Sequence, residues 1–587
     1  MPKKISDAVM IPGFVEKLAH AHYVRLARCV VLTGNIYDLF PLSEGGKTRF
    51  VGLDELMEKV LHSAKYLCEP ADEQFIVVKV KSDGIHLASY GENANASVQR
   101  MIESKSKNAS SPGNIQVVSN LIQDIARARN IVSAVQNQYV RPLCVIIDHA
   151  ETIFPNVEAG RMNTQQVEAW KWFSDLIRRE DLWASAETAD QRPDLIILLS
   201  PTISEINPKI FTLPKVELVE IPLPNSSHGI LPPEFEEDAR GLTLRAMDDL
   251  VTASKRDPIN SPLTRETVVA EVTKRLVLEL RGTVKLVRPE HTMADLVGWS
   301  KLKPRLSHLA RRIDNSRRAP VGMVVTGPNG AGKTFGIEAW AAEMGRTVLT
   351  LAGGMKSKWY GETGIFLETF ERMLSVYGRT CVVVDEAHKA FGSIQDPDTY
   401  QADAEYARHI IQMMSNPKYR SKVFWVLITT RPDLLDPDFK RSGRCSLFVP
   451  VCDPEGEDFD AFFDWMIEIL VKEGITLTED TKVCLREKAK KEKYAFSAGD
   501  FRRFIDELVG ELDYWQNEVK SSFDMPEFIR AWKPSAARIG PERRLHTLLA
   551  VKDADWRELV PASFRDMNER QIEMEISKLK LEIDISS

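Results

Sequence analysis

Residues 322–344 read GMVVTGPNGAGKTFGIEAWAAEM, and this stretch decides the fold of the second half of the chain. A β-branched run, a glycine-rich loop and a run of good helix formers predict a strand, a turn and a helix in succession. The loop fits GxxxxGK[ST], in which glycines let backbone N–H groups converge on phosphate oxygens at a helix N-terminus. Its residues are Gly327, Pro328, Asn329, Gly330, Ala331, Gly332, Lys333 and Thr334. We therefore expect an ATP site, with Lys333 on the β- and γ-phosphates and the Thr334 hydroxyl on Mg²⁺.

A second apolar run supplies the acidic half of this predicted site. The run Cys381–Val384 ends in Asp385 and Glu386. We expect Asp385 to hold the Mg²⁺ shell and Glu386 to polarise the attacking water. The letters DEAH that begin at Asp385 also occur in a class of helicases, but the Ser-Ala-Thr motif of that class is absent from the sequence. His388 is accordingly predicted to be a surface or packing residue.

With these motifs in order, about residues 292–515 resemble the AAA+ ATPases, in particular the branch that remodels proteins. In VLITTRPDLLDPDFKRSGR, which ends at Arg444, Thr430 falls at the sensor-1 position, where family members often carry Asn. Arg441 and Arg444 fall on the arginine-finger positions, with Ser between them where the family usually has Pro. The resemblance implies a homo-oligomeric ring, most often a hexamer, in which these arginines reach the nucleotide of the neighbouring subunit.

The same resemblance assigns roles to two further segments. Trp359 and Tyr360, followed by Gly361, are similar to the aromatic pore loop that projects into the ring channel. Aromatic side chains offer a large contact area to a threaded polypeptide, so a polypeptide is the expected client, although nucleic-acid bases also stack on such residues. Arg502 falls where some family members place a phosphate-sensing arginine.

The chain is too long for one core, and its patterns predict four regions. These are a degenerate AAA-like α/β domain with a helical subdomain (1–285), an AAA+ large ATPase domain with a parallel sheet (286–452), a helical lid (453–533) and a C-terminal tail (534–587). In the tail, the spacing of the apolar residues fits either a helix or a strand.

The first region repeats parts of the ATPase pattern without its catalytic residues. The strand RCVVLT ends at Gly34, as the later strand ends at Gly327, but no GK[ST] follows directly. Asp148 and His149 stand where an active site has Asp-Glu, which removes the water-polarising carboxylate. We interpret this region as a copy that does not hydrolyse ATP. The alternative is an unrelated α/β domain that recruits a client.

Composition narrows the class of protein. With 43% apolar and 27% charged residues, the chain is typical of soluble globular proteins. A net charge of -7 argues against nucleic acid as the main partner. No run of 18 apolar residues occurs, so we expect no membrane span, and seven scattered cysteines favour a reducing, cytoplasmic location.

Two other functions stay open at this point. The first is a nucleic-acid motor or loader, for which the supporting residues are Arg311, Arg312, Arg317 and Arg318. The second is an assembly scaffold switched by nucleotide.

Overall fold

The computed structural model describes most of the chain. Outside the described residues lie 1–11, 25–26, 45–46, 63–75, 82–83, 90–122, 124–142, 158–160, 180–193, 281–282, 289–290, 316–318, 352–362, 378, 392–400, 492–494, 520–522, 536–538 and 587. The chain forms two compact units, one of residues 1–275 with 364–376 and the other of residues 276–363 with 377–587.

The first unit has an α/β fold, a β-sheet with helices in the connections between its strands. Its strands are β1 (Cys29–Gly34), β2 (Leu39–Glu44), β3 (Lys47–Gly52), β4 (Ile76–Lys81), β5 (Gly84–Ser89), β6 (Leu143–Ile147), β7 (Leu195–Ser200) and β8 (Val216–Ile221). Six of them form one sheet in the order β5-β4-β6-β7-β1-β8, and β2 pairs with β3 as a separate hairpin. Strands β6 and β7 are buried along their whole length, as aliphatic runs in the middle of a parallel sheet are.

Helices lie before, between and after these strands. Their bounds are Gly13–Tyr23, Leu53–His62, Ala150–Ile153, Thr164–Arg178, Leu244–Arg256 and Arg265–Glu279, the last of which runs on past the end of the unit.

The second unit contains a sheet of the same kind. Its strands are β9 (Val284–Val287), β10 (Gly322–Thr326), β11 (Thr347–Leu351), β12 (Thr380–Val384), β13 (Val423–Thr429) and β14 (Leu447–Pro450). They lie in the order β14-β10-β13-β12-β11-β9, and of these only β9 pairs antiparallel. Helices in this half of the chain span Leu302–Asn315, Lys333–Glu343, Thr363–Tyr377, Ala387–Ala390, Gln401–Ser415 and Pro437–Lys440.

The two sheets share one topology. The order β8-β1-β7-β6-β4 in the first corresponds strand by strand to β14-β10-β13-β12-β11 in the second. In the first sheet β1 lies between β8 and β7, and in the second sheet β10 lies between β14 and β13. The carboxyl end of β1 is at Gly34, and that of β10 is followed by Gly327. The predicted α/β class is confirmed for both units.

The lid and the tail are helical. The lid helices are Glu457–Lys472, Glu479–Lys490, Ala498–Tyr514 and Met525–Ala531, and the tail contributes Gly540–Lys552 and Glu569–Ser586. The sequence left the last segment open between helix and strand. It is a helix, because Ile572, Ile576 and Leu579 recur at helical spacing and are buried together on one face.

Candidate functional site

The glycine-rich loop leaves β10 in a conformation that requires glycine. Gly327 has a φ of 148°, and a Cβ atom there would lie 1.8 Å from the carbonyl oxygen of Val451. At the other end of the loop, Gly332 has a φ of 82° and precedes the helix that begins at Lys333. The loop therefore leads into a helix N-terminus, where the first N–H groups have no partner within the helix and an anion is favoured.

Lys333 is buried inside this loop. Its Nζ donates to the carbonyl oxygens of Gly327, at 3.0 Å, and Pro328, at 2.7 Å. Burial lowers the pKa of Lys333 to about 8, against the opposing effect of Asp385. The ammonium is thus desolvated more than Asp385 compensates, so an incoming phosphate would stabilise its charge.

The sheet brings Thr334 and Asp385 together from distant parts of the sequence. The Thr334 hydroxyl donates to Asp385 Oδ2 at 2.9 Å. Asp385 follows β12, which is separated from β10 by β13. A hydroxyl beside a carboxylate is an oxygen donor set that fits Mg²⁺, which takes one or two protein oxygens and completes its shell with phosphates and water.

Glu386 has a strained backbone. Its φ of 49° and ψ of 42° lie in the left-handed region, which is unfavourable for a residue with a Cβ. Its N–H donates to Asp385 Oδ1 at 2.8 Å, and its side chain is exposed and pairs with Lys389 at 2.8 Å. The Glu386 side chain is thus exposed, while the Asp385 carboxylate accepts from Thr334 of the loop helix.

The predicted sensor residue lies at the end of β13. Thr430 is half-buried, whereas its neighbour Thr429 is buried and hydrogen-bonded to His388 Nδ1 at 2.8 Å. Thr429 also accepts from the N–H of Arg431 at 3.0 Å. Burial lowers the pKa of His388, which favours a neutral imidazole. His388, predicted to be a surface or packing residue, therefore links the acidic segment to the sensor strand.

A carboxylate just beyond the sensor segment joins it to the last helix. Arg431 donates two hydrogen bonds to Asp433, both at 2.9 Å, and Lys580 donates to the same carboxylate at 2.8 Å. Although burial acts in the other direction, these bonds lower the pKa of Asp433. The C-terminal helix is thereby tied to the segment that carries Thr430.

The two predicted finger arginines differ in exposure. The Arg441 side chain is 68% exposed and pairs with Asp438 at 3.0 Å. Arg444 is 20% exposed and donates to the Asp438 carbonyl and, at 3.2 Å, to the Ser415 hydroxyl. Arg441 is therefore accessible to another molecule despite its surface pair, whereas Arg444 is largely covered and held by partners in its own chain.

Arg502 lies on the exposed side of a lid helix. Its side chain is 63% exposed and pairs with Asp506 one turn later at 3.2 Å. The lid meets the phosphate loop through its backbone instead, because the Gly499 N–H donates to the Gly330 carbonyl at 2.8 Å. Trp359 and Tyr360 lie outside the described residues.

Sequence reasoning missed an arginine of the tail. Arg543 Nη1 donates to the Asn329 carbonyl of the phosphate loop at 2.8 Å, and its Nε donates to Asp453 at 2.8 Å. Arg543 is only 5% exposed. No motif marks it, since it lies 214 positions after Asn329 in a helix with an unremarkable composition.

A cavity of about 400 Å³ lies beside the loop. Trp299 and Ala331 line it, together with residues 450–458 after β14 and residues 558–562 of the tail. Trp299 packs so closely on the loop helix that a Cβ on Gly336 would lie 2.1 Å from the indole ring. The cavity is large enough for the nucleoside part of a nucleotide whose phosphates occupy the loop.

The first unit has a similar backbone conformation to the ATPase unit at two strand ends, but at one of them it lacks a carboxylate that the ATPase unit has. Gly34 has a φ of 94°, and a Cβ there would lie 2.5 Å from the carbonyl oxygen of Ile221. His149 has the same left-handed backbone as Glu386, with a φ of 53°, and its N–H donates to Asp148 at 2.9 Å. The strand ends match, but an imidazole stands where the ATPase unit has a carboxylate.

A carboxylate of the protein occupies the segment after Gly34. Asp38 is 2% exposed and accepts from Asn35 Nδ2 at 2.6 Å and from the N–H of Leu39 at 2.7 Å. It also accepts from the N–H groups of Leu244, at 3.1 Å, and Arg245, at 2.9 Å, at the start of a helix. An internal anion therefore occupies the N-terminus of the helix that begins at Leu244, a position that favours negative charge.

Comparison with known proteins gives two matches in succession. Residues 4–222 match the family described as "AAA+ chaperone, N-terminal Rossmann-like domain". Residues 323–452 match the family described as "ATPase family associated with various cellular activities (AAA)". Among the part of the chain that the structure describes, no helix is both long and apolar enough to cross a bilayer.

Individual relatives are similar to part of the chain at low identity. Proteasome-activating nucleotidase of Pyrococcus abyssi is 27% identical over 193 residues, 30% of this chain and 47% of that protein. The cell division cycle protein 48 homolog of Archaeoglobus fulgidus is 26% identical over 214 residues, 33% and 28% of the two chains. ATPase family gene 2 protein of Saccharomyces cerevisiae is 28% identical over 165 residues, which are 28% of this chain and 20% of that protein. The chain thus spans less than half the length of each of these relatives.

Proposed function

This chain is an AAA+ ATPase with an N-terminal domain of the AAA+ chaperone type, and from that premise we propose that it is a ring-forming motor that remodels proteins. One observation carries the proposal. The Thr334 hydroxyl lies 2.9 Å from Asp385 at the phosphate loop, in a chain that also carries the chaperone-type domain. The motor would use ATP hydrolysis to pull on a polypeptide.

The roles that we assign at the ATP site follow from charge and geometry. Backbone N–H groups of the loop and Lys333 bind the phosphates. Thr334 and Asp385 would hold Mg²⁺, which supplies positive charge to the β- and γ-phosphates when bound. Glu386, whose side chain is exposed, orients the attacking water, and Thr430 donates a hydrogen bond to that water or to the γ-phosphate.

The finger arginines are assigned to a neighbouring subunit's nucleotide. The exposure of Arg441 supports this assignment, because a solvated guanidinium on a loop is available to a second protomer. An arginine supplied in this way contributes about 10³–10⁵ in rate. We therefore propose a homo-oligomeric ring, with six subunits as the leading arrangement.

Mixing two inactive variants tests the shared site. Arg444→Ala removes a finger but leaves the chain's own phosphate loop intact, whereas Lys333→Ala disables the loop but leaves the fingers intact. Each variant alone should lose ATPase activity, and mixed rings should recover part of it. Arg240→Ala, in a turn before the helix that begins at Leu244 and paired on the surface with Glu237, is the control substitution. Mixed oligomers, verified by affinity tags, that recover no activity would contradict sharing of sites between subunits.

The client assignment depends on the aromatic segment. We propose that Trp359 and Tyr360 grip an unfolded polypeptide. Trp359→Ala should abolish remodelling of an unstable reporter protein and leave basal ATPase activity within about twofold of the parent. Unchanged remodelling by this variant would instead favour a nucleotide-switched scaffold. Stimulation of the ATPase by single-stranded nucleic acid, with no response to unfolded protein, would favour a nucleic-acid motor or loader.

The first unit is assigned a structural or recruiting role without ATP hydrolysis. His149 in place of a catalytic carboxylate and the hydrogen bonds of Asp38 support this assignment. The described cysteines are free, in keeping with the reducing cytoplasm that we propose as the location.

A further inference from the structure

Arg543 connects three parts of the ATPase unit through one guanidinium. It donates to the carbonyl of Asn329 in the phosphate loop and, through Nε and Nη2, to both oxygens of Asp453. Asp453 follows β14 at the point where the chain leaves the sheet for the lid helix beginning at Glu457. The guanidinium thus ties the tail helix to the loop that holds phosphate and to the segment that carries the lid.

The contact is geometrically specific. A guanidinium presents five N–H donors in a rigid plane, so it can serve a carboxylate with one edge and a carbonyl with another. A lysine ammonium would keep the charge but could not reproduce this planar two-sided arrangement. Arg543 is 5% exposed and Asp453 is 25% exposed, so loss of Asp453 leaves the buried Arg543 charge without its carboxylate, and loss of Arg543 leaves the Asn329 carbonyl without this donor.

The same tail helix approaches the site at a second point. His546, one turn after Arg543, is also 5% exposed. Burial, with Arg431 and Lys333 acting in the same direction, lowers the pKa of His546 to about 4, so the imidazole is neutral at pH 7. The tail therefore places one permanent cation on the loop, and one neutral ring that is near enough to Lys333 to be affected by its charge.

The segment after this helix adds a wall to the adjoining cavity. Residues 558–562 line the 400 Å³ cavity that Ala331 of the loop also lines. The Ala562 N–H donates to Glu455 Oε2 at 2.9 Å, which fixes this wall to the segment after β14. The tail and that segment are thus joined twice, once at Asp453 and once at Glu455.

We propose that the tail is a functional part of the ATP site in cis, with Arg543 as a positioning residue that holds the phosphate loop and the lid connection in their nucleotide-binding arrangement. Without Arg543, the loop would lose its anchor at Asn329, and the Asp453 carboxylate would stand uncompensated near the phosphates. Both effects weaken nucleotide binding more than the chemical step, since Arg543 does not touch the reacting atoms in this arrangement.

Replacing both charged partners by neutral residues distinguishes an effect on nucleotide binding from an effect on folding. In the double variant Arg543→Met/Asp453→Asn, no buried charge is left unpaired, so the chain should fold with a melting temperature near that of the parent. The loop anchor is still missing, so we expect the KM for ATP and the Kd for a fluorescent ATP analogue to rise at least tenfold, with kcat within about threefold. Arg543→Lys should likewise bind nucleotide more weakly.

Arg544→Ala is the matched control. It lies next in the same helix and pairs with Glu575 on the tail at 3.4 Å, so it tests tail packing without touching the loop. We expect its KM for ATP to stay within about twofold of the parent. A folded Arg543→Met/Asp453→Asn protein with the parental KM and Kd would overturn the proposal, as would an equal rise in KM for Arg544→Ala.

This inference rests on the ATP site of the proposed function. The two fail differently: a parent protein that binds no ATP contradicts the site itself. A parent that binds ATP, with variants that bind equally well, contradicts only the role of the tail.

Discussion

Replacing Gly327 by Ala tests the geometry on which the ATP site depends. The added Cβ would lie 1.8 Å from the carbonyl oxygen of Val451, and that oxygen belongs to the backbone, so no side-chain rotation relieves the clash. The φ of 148° adds a second penalty, because residues with a Cβ rarely adopt it. Either the loop or the end of β14 must move.

The cost can be worked out from these two effects. A non-glycine residue in a sparsely populated backbone region costs about 1–3 kcal/mol. Overpacking of a close-packed site costs about 1–3 kcal/mol more. We therefore expect Gly327→Ala to destabilise the nucleotide-binding arrangement by about 2–6 kcal/mol. Since about 1.4 kcal/mol is a factor of ten, ATP binding should weaken by at least tenfold.

Gly34 is the matched control. Its Cβ would lie 2.5 Å from the Ile221 carbonyl oxygen at a φ of 94°, so Gly34→Ala carries the same two penalties in the unit assigned no hydrolysis. Hydrogen exchange should show lost protection around residues 29–36 in this variant and around residues 322–344 in Gly327→Ala. ATP affinity should fall only in Gly327→Ala, as measured by titration with a fluorescent ATP analogue. Parental ATP affinity in a folded Gly327→Ala protein would refute the reasoning, and so would an equal loss in Gly34→Ala.

Three further outcomes are expected. Glu386→Gln should bind ATP with parental affinity and lose hydrolysis by about 10²–10⁴, and turnover within tenfold of the parent would remove Glu386 from its role. Because the pKa of Lys333 is lowered to about 8, its charged form is lost as pH rises through 8, so calorimetry should show proton uptake on ATP binding and affinity falling up to about tenfold from pH 8 to 9. A flat affinity over that range would contradict the shift. Gly336→Ala gains about 1 kcal/mol of helix propensity but must displace Trp299, at about 1–3 kcal/mol. It should therefore lower the melting temperature and raise the KM for ATP. An unchanged KM would show that the position of Trp299 in the cavity wall does not matter for ATP binding.

Sequence reasoning reached the local parts of the site because their chemistry is encoded over short spans. The strand, loop and helix around Lys333 follow from periodicity and from glycines at fixed offsets. The acidic pair at Asp385 follows from an apolar run that ends in carboxylates. That the hydroxyl of Thr334 lies beside Asp385 was expected from the motif order, but the distance depends on the placement of β13 between two strands.

Local backbone preference and apolar patterning were enough to predict the α/β class, the glycine-rich loop before Lys333 and the apolar strand that ends just before Asp385. Only the tertiary structure decided that the last segment is a helix, that His388 bonds to Thr429, and that Arg543 contacts the loop. Each of these depends on which surfaces meet when distant segments pack together. A helical arginine 214 positions after its partner carries no local signal, since burial and a fitting acceptor arise only once the core has formed.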